Sequence, residues 1–269
     1  MSNLFDKLAA GEMALGVWLK SGPSWVSTIA RAGFDFVRPD MMFSSIDWRE
    51  LDHINKSAIA AGITTWVRVP ANPWLGGTGQ LQVTVDVQRA FSLGIPIVGA
   101  SIASAEQARA CLEVAKDWHR SGAGEYPTST ESFAAMNAKD TNAAIFAPHI
   151  EAGTAITEID EIMSLEGLRI VMVAMTDLSK ALGYPFQYDH PEVWKTLDRI
   201  VEKANARGVA VAANMGYAYR TAAQMQARVT KMYEHGVRIC LMQGADSMLE
   251  NLAGAMVKDL RAAIYQPSD

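Results

Sequence analysis

Eight short apolar runs, separated by longer segments of mixed polarity, constrain the fold of this chain most. The runs are ALGVWL (14–19), FDFV (34–37), ITTWVRV (63–69), IPIVGAS (95–101), AAIFAPHIE (143–151), RIVMVA (169–174), VAVAAN (209–214) and VRICLMQ (237–243). Most follow a glycine that closes a helix-like segment, and these glycines are Gly33, Gly62, Gly94, Gly208 and Gly236. Glycine suits a left-handed helix C-cap. The sequence therefore predicts eight alternating strands and helices.

This alternation, with strands that are apolar along their whole length, indicates a parallel sheet covered on both faces. Eight units in about 250 residues favour a (β/α)8 TIM barrel, a single α/β domain spanning residues 1–269. An open, doubly wound sheet is the alternative, but no glycine-rich dinucleotide motif follows the first run.

Charge and composition argue against two classes of partner. The chain has 24 basic and 29 acidic residues, a net charge of −5 and no basic cluster, so neither nucleic acid nor an anionic membrane is expected to bind.

The first residues, MSNLFDKLAAGE, lack the apolar core of a signal peptide, and a cytoplasmic location is expected. Cys111 and Cys240 are predicted to be reduced core residues.

Residues at the carboxyl ends of barrel strands gather around one mouth. Trp18, Asp40, Arg68, the pair His149 and Glu151, and Asp177 all follow or end predicted strands. His149 and Glu151 are two apart and are expected to point to the same face, with an irregular strand end at the intervening Pro148.

Two of these carboxylates, Glu151 and Asp177, predict a site for a hard divalent cation. Mg²⁺ or Mn²⁺ takes one or two protein carboxylates and leaves other positions open, and Co²⁺ or Zn²⁺ is the alternative. A 2-oxo acid is expected to complete the shell, with Arg68 stabilising its enolate oxygen. Other roles remain open: Glu151 or Asp177 as a helix cap, and Arg68 as the ion-pair partner of Asp40.

The segments AGFDFV, WVRVP, HIEAGTA and MTDLSKALGYP…HPEV together resemble the HpcH/HpaI family of class II pyruvate aldolases over nearly the whole chain. The resemblance implies that Glu151 and Asp177 bind the metal, that Arg68 binds the oxo acid and that Trp18 packs against it. Thr176, beside Asp177, is assigned to substrate binding. The family also implies a homo-oligomer, a hexamer built as three dimers, with a C-terminal helix exchanged between subunits.

Two departures from the family pattern affect the predicted reaction. Phe43 stands where the family has its general-base histidine, after Asp40, and His149 replaces a glutamine before the metal-binding glutamate. A phenyl ring cannot move a proton. His149 is predicted to act as the substitute base or metal ligand, or to donate a hydrogen bond to Glu151. The family's basic, glycine-rich loop before the fifth strand has no clear counterpart.

The mouth is also predicted to carry apolar and aromatic groups. Met41, Met42 and Phe43, with Trp74 from the loop NPWLGGTGQ, indicate a larger or more aromatic acceptor, or else loop packing or a subunit contact. Tyr217 and Tyr219 are both expected at the rim.

The predicted activity is metal-dependent retro-aldol cleavage of a 4-hydroxy-2-oxo acid to pyruvate, or a similar 2-oxo acid, and an aldehyde. Arg68, His149 and Asp40 are the catalytic candidates, and Trp18, Arg68, Phe43 and Thr176 the substrate-binding candidates. A decarboxylase or hydratase acting through an enolate is one alternative, and a non-catalytic protein that binds metal and oxo acid is the other.

Overall fold

The computed structural model describes residues 4–70, 72, 77–121, 144–151, 153–217 and 219–265. Trp74 and most of the segment between the fifth helix and the fifth strand lie outside these residues, and so do the expectations placed on them.

Eight parallel strands close into one barrel in chain order. They are β1 (Ala14–Leu19), β2 (Phe36–Pro39), β3 (Thr64–Arg68), β4 (Ile97–Ser101), β5 (Ile145–Ile150), β6 (Ile170–Val173), β7 (Ala210–Asn214) and β8 (Ile239–Gly244). The ring closes where β1 pairs with both β2 and β8. The predicted (β/α)8 barrel is confirmed, and the open sheet is excluded.

Helices of the described residues flank the barrel. They are α1 (Leu4–Ala9), α2 (Val26–Arg31), α3 (Trp48–Ala61), α4 (Gly77–Ser92), α5 (Ala105–Ser121), α6 (Gly153–Thr157), α7 (Ile159–Ser164), α8 (Met175–Ala181), α9 (Pro191–Asn205), α10 (Ala222–Glu234) and α11 (Ala245–Ile264). The five glycines predicted to end helices all have positive φ, between 69° and 93°. Each helix thus turns back toward the next strand at a residue that tolerates the left-handed conformation.

The apolar core has two parts, as a barrel requires. One cluster fills the interior and includes Phe36, Trp66 and Met172, with Leu4 of α1 packed against it. The other lies between the outer faces of the strands and the helices. A Cβ on Gly16 would stand 2.1 Å from the Phe36 ring, so this glycine leaves the space that the ring occupies. This packed apolar layer therefore supports the polar side chains that face the barrel interior nearer its mouth.

The expected irregularity at Pro148 is wrong. β5 runs through Pro148 to Ile150 and pairs with β4 at five consecutive positions, with Pro148 opposite Ala100. Pairing with β6 is limited to His149 and Ile150, so the absent N–H of Pro148 interrupts no pair on that side.

Cys111 and Cys240 are buried and unbonded to each other, as predicted, and burial raises the pKa of both thiols to about 12. Within the described part of the chain, no helix is long and apolar enough to cross a membrane. α11 differs from the other long helices because none of its residues is buried.

Candidate active site

A cavity of about 270 Å³ opens at the carboxyl ends of the strands. Six of the predicted site residues line it: Trp18, Phe43, Arg68, Glu151, Thr176 and Asp177. They come from five different βα units, as expected for residues gathered at a barrel mouth. The other two, Asp40 and His149, are completely buried behind the lining.

Glu151 follows β5 directly and is 8% exposed. Its Oε2 accepts a 2.6 Å hydrogen bond from the Ser101 hydroxyl, and its Oε1 lies 3.5 Å from Arg68 Nη1 and 3.6 Å from His149 Nδ1. Burial alone would raise the pKa of this carboxyl. The contact with His149 and the charges of His149 and Arg68 outweigh burial and lower the pKa to about 2. Glu151 is therefore an anion over the whole physiological range.

Asp177 lies in the first turn of α8 and is not its N-cap, because Ala174 holds that position. A carboxylate there is favoured by the helix dipole. Its surroundings differ from those of Glu151: burial first, and then the charge of Glu151, raise the pKa of Asp177 above its usual value of 3.8. The two carboxylates thus repel each other across the cavity.

Arg68, at the end of β3, donates a hydrogen bond to Asp40 and also faces Glu151. The predicted pairing with Asp40 is confirmed, and it coexists with a place in the cavity lining. Asp40 in turn accepts hydrogen bonds from the backbone N–H groups of Met42, at 3.0 Å, and Phe43, at 3.1 Å. Burial would raise the pKa of Asp40, but the charges of Arg68 and Arg38 lower it. Asp40 therefore fixes Arg68 and the turn that carries Phe43.

His149 projects from β5 into the barrel interior below the cavity. One guanidinium nitrogen of Arg38 lies 3.3 Å from both ring nitrogens. Burial lowers the pKa of His149 to about 4. The contact with Glu151 opposes this shift, and the charge of Arg38 adds to it. A Cβ on Gly99 would stand 2.3 Å from His149 Nε2, so Gly99 on β4 provides the space for this ring. The imidazole is neutral at pH 7 and is oriented toward Glu151.

Three aromatic side chains surround the opening: Trp18 from β1, Phe43 after β2 and Tyr217 after β7. The rings of Trp18 and Tyr217 are 5.9 Å apart. The Arg68 guanidinium lies 5.6 Å from the Trp18 ring centre and 4.6 Å from that of Phe43. Burial raises the pKa of Tyr217 to about 12, so its hydroxyl stays protonated at pH 7.

Two residues considered for the rim lie elsewhere. Met41 is only 7% exposed and packs into the core between barrel and helices, so for this residue the packing alternative holds. Tyr219 turns away from the cavity; its hydroxyl donates to Asp189 at 3.1 Å, and its ring lies over Arg228. Of the two tyrosines, only Tyr217 reaches the site.

Four polar side chains of the site were not predicted. Lys20 and Arg38 line the cavity, and Arg38 lies 3.6 Å from Asp40. Ser101 donates a hydrogen bond to Glu151, and the side-chain oxygen of Asn214 accepts a 2.7 Å hydrogen bond from the N–H of Met175 at the start of α8. Burial, followed by the charge of Arg68, lowers the pKa of Arg38 to about 10, so it remains a cation at pH 7. The feature of the sequence that could have indicated these side chains is the position of each polar residue within or at the end of an apolar run.

The donor set fits a hard divalent cation. Two carboxylates from different βα units line the cavity, and no hydrogen bond from another described side chain reaches Asp177. Across the part of the chain that the structure describes, no group of three or more His, Cys, Asp or Glu side chains could hold a metal. A pair of oxygen donors with open positions is typical of Mg²⁺ or Mn²⁺ rather than of a closed structural zinc site.

Comparison with known proteins identifies a family that matches this chain and solved structures that share its fold. A family model described as HpcH/HpaI aldolase/citrate lyase matches residues 15–245. A 2-keto-3-deoxy-L-rhamnonate aldolase of Escherichia coli (strain K12) is 27% identical over 217 residues, which is 78% of each chain. The protein of the same name from Shigella sonnei (strain Ss046) is 26% identical over 211 residues, 76% of each chain.

Solved structures share the architecture over almost the full length. The citrate synthase SbnG superposes with a TM-score of 0.76 at 21% identity and covers 98% of this chain and 99% of its own. An HpcH/HpaI aldolase from Desulfitobacterium hafniense DCB-2 gives a TM-score of 0.72 at 24% identity, with 97% of each chain covered. At these identities the likeness concerns the fold.

Proposed function

We propose, from the premise that this chain belongs to the HpcH/HpaI aldolase/citrate lyase family, that it cleaves a 4-hydroxy-2-oxo acid to pyruvate, or a similar 2-oxo acid, and an aldehyde. The observation that carries this proposal is the position of Arg68, which shares one cavity with the Glu151 and Asp177 carboxylates. A cation beside a metal-type carboxylate pair suits a reaction in which negative charge develops on a keto oxygen.

Glu151 and Asp177 would hold the divalent cation, with Ser101 and His149 orienting Glu151. When bound, the cation would act as a Lewis acid on the 2-oxo group. The mutual repulsion of the two carboxylates supports this assignment, because a cation between them would relieve it. Mg²⁺ and Mn²⁺ are the ions that this donor set favours.

In cleavage, the C3–C4 bond of the substrate breaks and its electrons form the enolate of the 2-oxo acid. The 4-hydroxyl loses its proton as the aldehyde forms, and C3 then gains a proton. Arg68, held by Asp40, would stabilise the enolate oxygen, and Trp18 and Thr176 would pack against the oxo acid. The fixed position of Arg68 means that little reorganisation is needed as charge develops.

For His149 we favour the last of the three roles predicted for it, the orientation of Glu151. The ring has no exposed surface, and its low pKa keeps it neutral beside Arg38. The described residues that line the cavity include no histidine. We therefore infer that the proton of the 4-hydroxyl is accepted by a water molecule that enters at the open mouth, beside the protonated Tyr217 hydroxyl.

Deuterium exchange into the methyl group of pyruvate tests enolate formation without any assumption about the aldehyde. The protein would be incubated with pyruvate in D2O, with Mg²⁺ or Mn²⁺ and with a chelator in parallel, and followed by NMR. We expect metal-dependent exchange that is lost in Glu151→Ala and Asp177→Ala. Asp189→Asn, which changes a carboxylate outside the cavity, is the matched control and should exchange like the unaltered protein.

Metal binding without exchange would contradict the aldolase proposal. It would favour the non-catalytic alternative, a protein that binds metal and oxo acid. Deuterium exchange that persists in the presence of the chelator, or in Glu151→Ala, would show that the metal site is not needed for the reaction.

Decarboxylation of an oxo acid with a second carboxylate is the other candidate, because the described residues of the cavity lining include no histidine that could act as a base. Loss of CO2 generates the same enolate without removal of a proton. Release of CO2 from oxaloacetate at a rate above that of pyruvate exchange would favour this reaction over the aldol cleavage.

We also propose that the chain forms a homo-oligomer through α11. Five of its apolar residues recur three or four positions apart and are 52–71% exposed: Leu249, Leu252, Met256, Leu260 and Ile264. A helix with no buried residue gains little from its own barrel, and a second copy of the chain would cover this row. The exchange of this helix within a hexamer, implied by the family, is the specific form that we expect.

A further inference from the structure

The geometry of the mouth points to an uncharged aldehyde with an aromatic substituent as the acceptor, an inference that rests on the proposed aldol chemistry. Phe43 carries the argument. Its backbone N–H is fixed by Asp40, and its ring is 63% exposed although it belongs to the cavity lining. A large apolar side chain held in this way presents a surface that a ligand can cover.

The other rings around the opening extend this surface. Trp18 and Tyr217 line the same cavity, with their ring centres 5.9 Å apart and tilted by 43°. Tyr217 is 45% exposed. Three rings at one opening offer stacking and edge contacts to a further ring, which aromatic side chains favour over contact with a short aliphatic chain.

The charges near the opening argue against an acidic acceptor. Arg38 and Arg68 both lie against Asp40, and Lys20 lies 3.6 Å from Asp246. Every cation among the described lining residues thus already faces a carboxylate. Among the described lining residues, a second carboxylate at the far end of the acceptor would meet only cations that already have a carboxylate partner.

Phe43 also lies over Arg68, at 4.6 Å from the guanidinium to the ring centre. The acceptor side of the mouth and the enolate side therefore meet at this pair. A ring stacked on Phe43 would place its aldehyde carbon toward the cavity, where the enolate carbon is expected to form.

The test compares three acceptors in the aldol direction with pyruvate: benzaldehyde, propanal and succinic semialdehyde. The enolate carbon of pyruvate, after loss of one methyl proton, bonds to the aldehyde carbon, and the aldehyde oxygen gains a proton, so that no further reactant is needed. Pyruvate deuterium exchange is measured in the same samples. We expect kcat/KM for benzaldehyde to exceed that for each other aldehyde by about tenfold or more, the scale on which apolar pockets discriminate.

Variants of Phe43 separate this inference from the aldolase proposal. In Phe43→Ala the rate of benzaldehyde addition, divided by the rate of pyruvate exchange, should fall by roughly tenfold. Phe43→Tyr keeps the ring and should keep the ratio. Phe186→Ala removes a phenylalanine that is 69% exposed outside the cavity, and both rates should remain unchanged.

Equal or faster addition to propanal or succinic semialdehyde, with exchange intact, would overturn the inference and leave the aldolase proposal standing. An unchanged ratio in Phe43→Ala would also overturn it. Failure of pyruvate exchange in the unaltered protein would remove the proposed function and the acceptor inference together.

Discussion

Replacement of Asp40 by Asn should destabilise the protein far more than the loss of one charge on its surface would. Asp40 has no exposed area and lies between two buried guanidinium groups, those of Arg38 and Arg68. Without the carboxylate, two like charges face each other in the interior. Removal of one partner from a buried ion pair costs about 3–5 kcal/mol. For a domain of this size, that cost corresponds to a melting temperature lower by roughly 10 °C.

Asp52→Asn is the matched control because it makes the same chemical change in an exposed pair. Asp52 lies 2.6 Å from Lys56, one helical turn away on α3, and Lys56 is 68% exposed. Such pairs contribute about 0.3–0.5 kcal/mol, so this variant should melt within roughly 2 °C of the unaltered protein. Melting followed by circular dichroism in the presence of chelator compares the two. Equal shifts would refute the view that Asp40 holds a buried cation pair together.

Three further outcomes follow from the geometry. Gly99→Ala would place a Cβ 2.3 Å from His149 Nε2, so we expect about 1–3 kcal/mol of destabilisation in a denaturant titration and weaker Mn²⁺ binding. Mn²⁺ affinity should fall as the pH is lowered through the raised pKa of Asp177, because protonation removes a ligand while Glu151, with a pKa of about 2, stays ionised. Calorimetry between pH 4 and 7 measures this affinity, and an affinity that does not change with pH would contradict the prediction. Leu252→Glu should disrupt the proposed oligomer and so lower the molar mass of the protein in solution, measured by light scattering, whereas Lys258→Glu on the same helix should leave this molar mass unchanged.

The barrel and most of the rim could be predicted from the sequence because both follow from periodicity and chain order. Buried parallel strands are apolar along their length, and the helices between them end at glycines, so the strands are visible without any knowledge of their contacts. Once the barrel is assumed, the ends of the strands must meet. Arg68, Glu151 and Asp177 could thus be assigned to one mouth although they are far apart in the chain.

The layer below the rim could not be predicted in the same way, because it depends on which side chains fill the barrel interior. Arg38 appears in the sequence as one cation in an apolar run, and nothing local indicates that it lies against His149 and Asp40. The depth of His149 depends on the space left by Gly99, a contact between neighbouring strands. Likewise, local sequence does not reveal that Tyr217 faces the cavity while Tyr219 faces Asp189.

A crystal structure with Mn²⁺ and pyruvate, with the metal located by its anomalous signal, tests the central claim most directly. The account predicts one Mn²⁺ ion bound by Glu151 and Asp177, with the keto oxygen of pyruvate within hydrogen-bond distance of Arg68. An ion held by other residues, or pyruvate bound away from Arg68, would contradict the account.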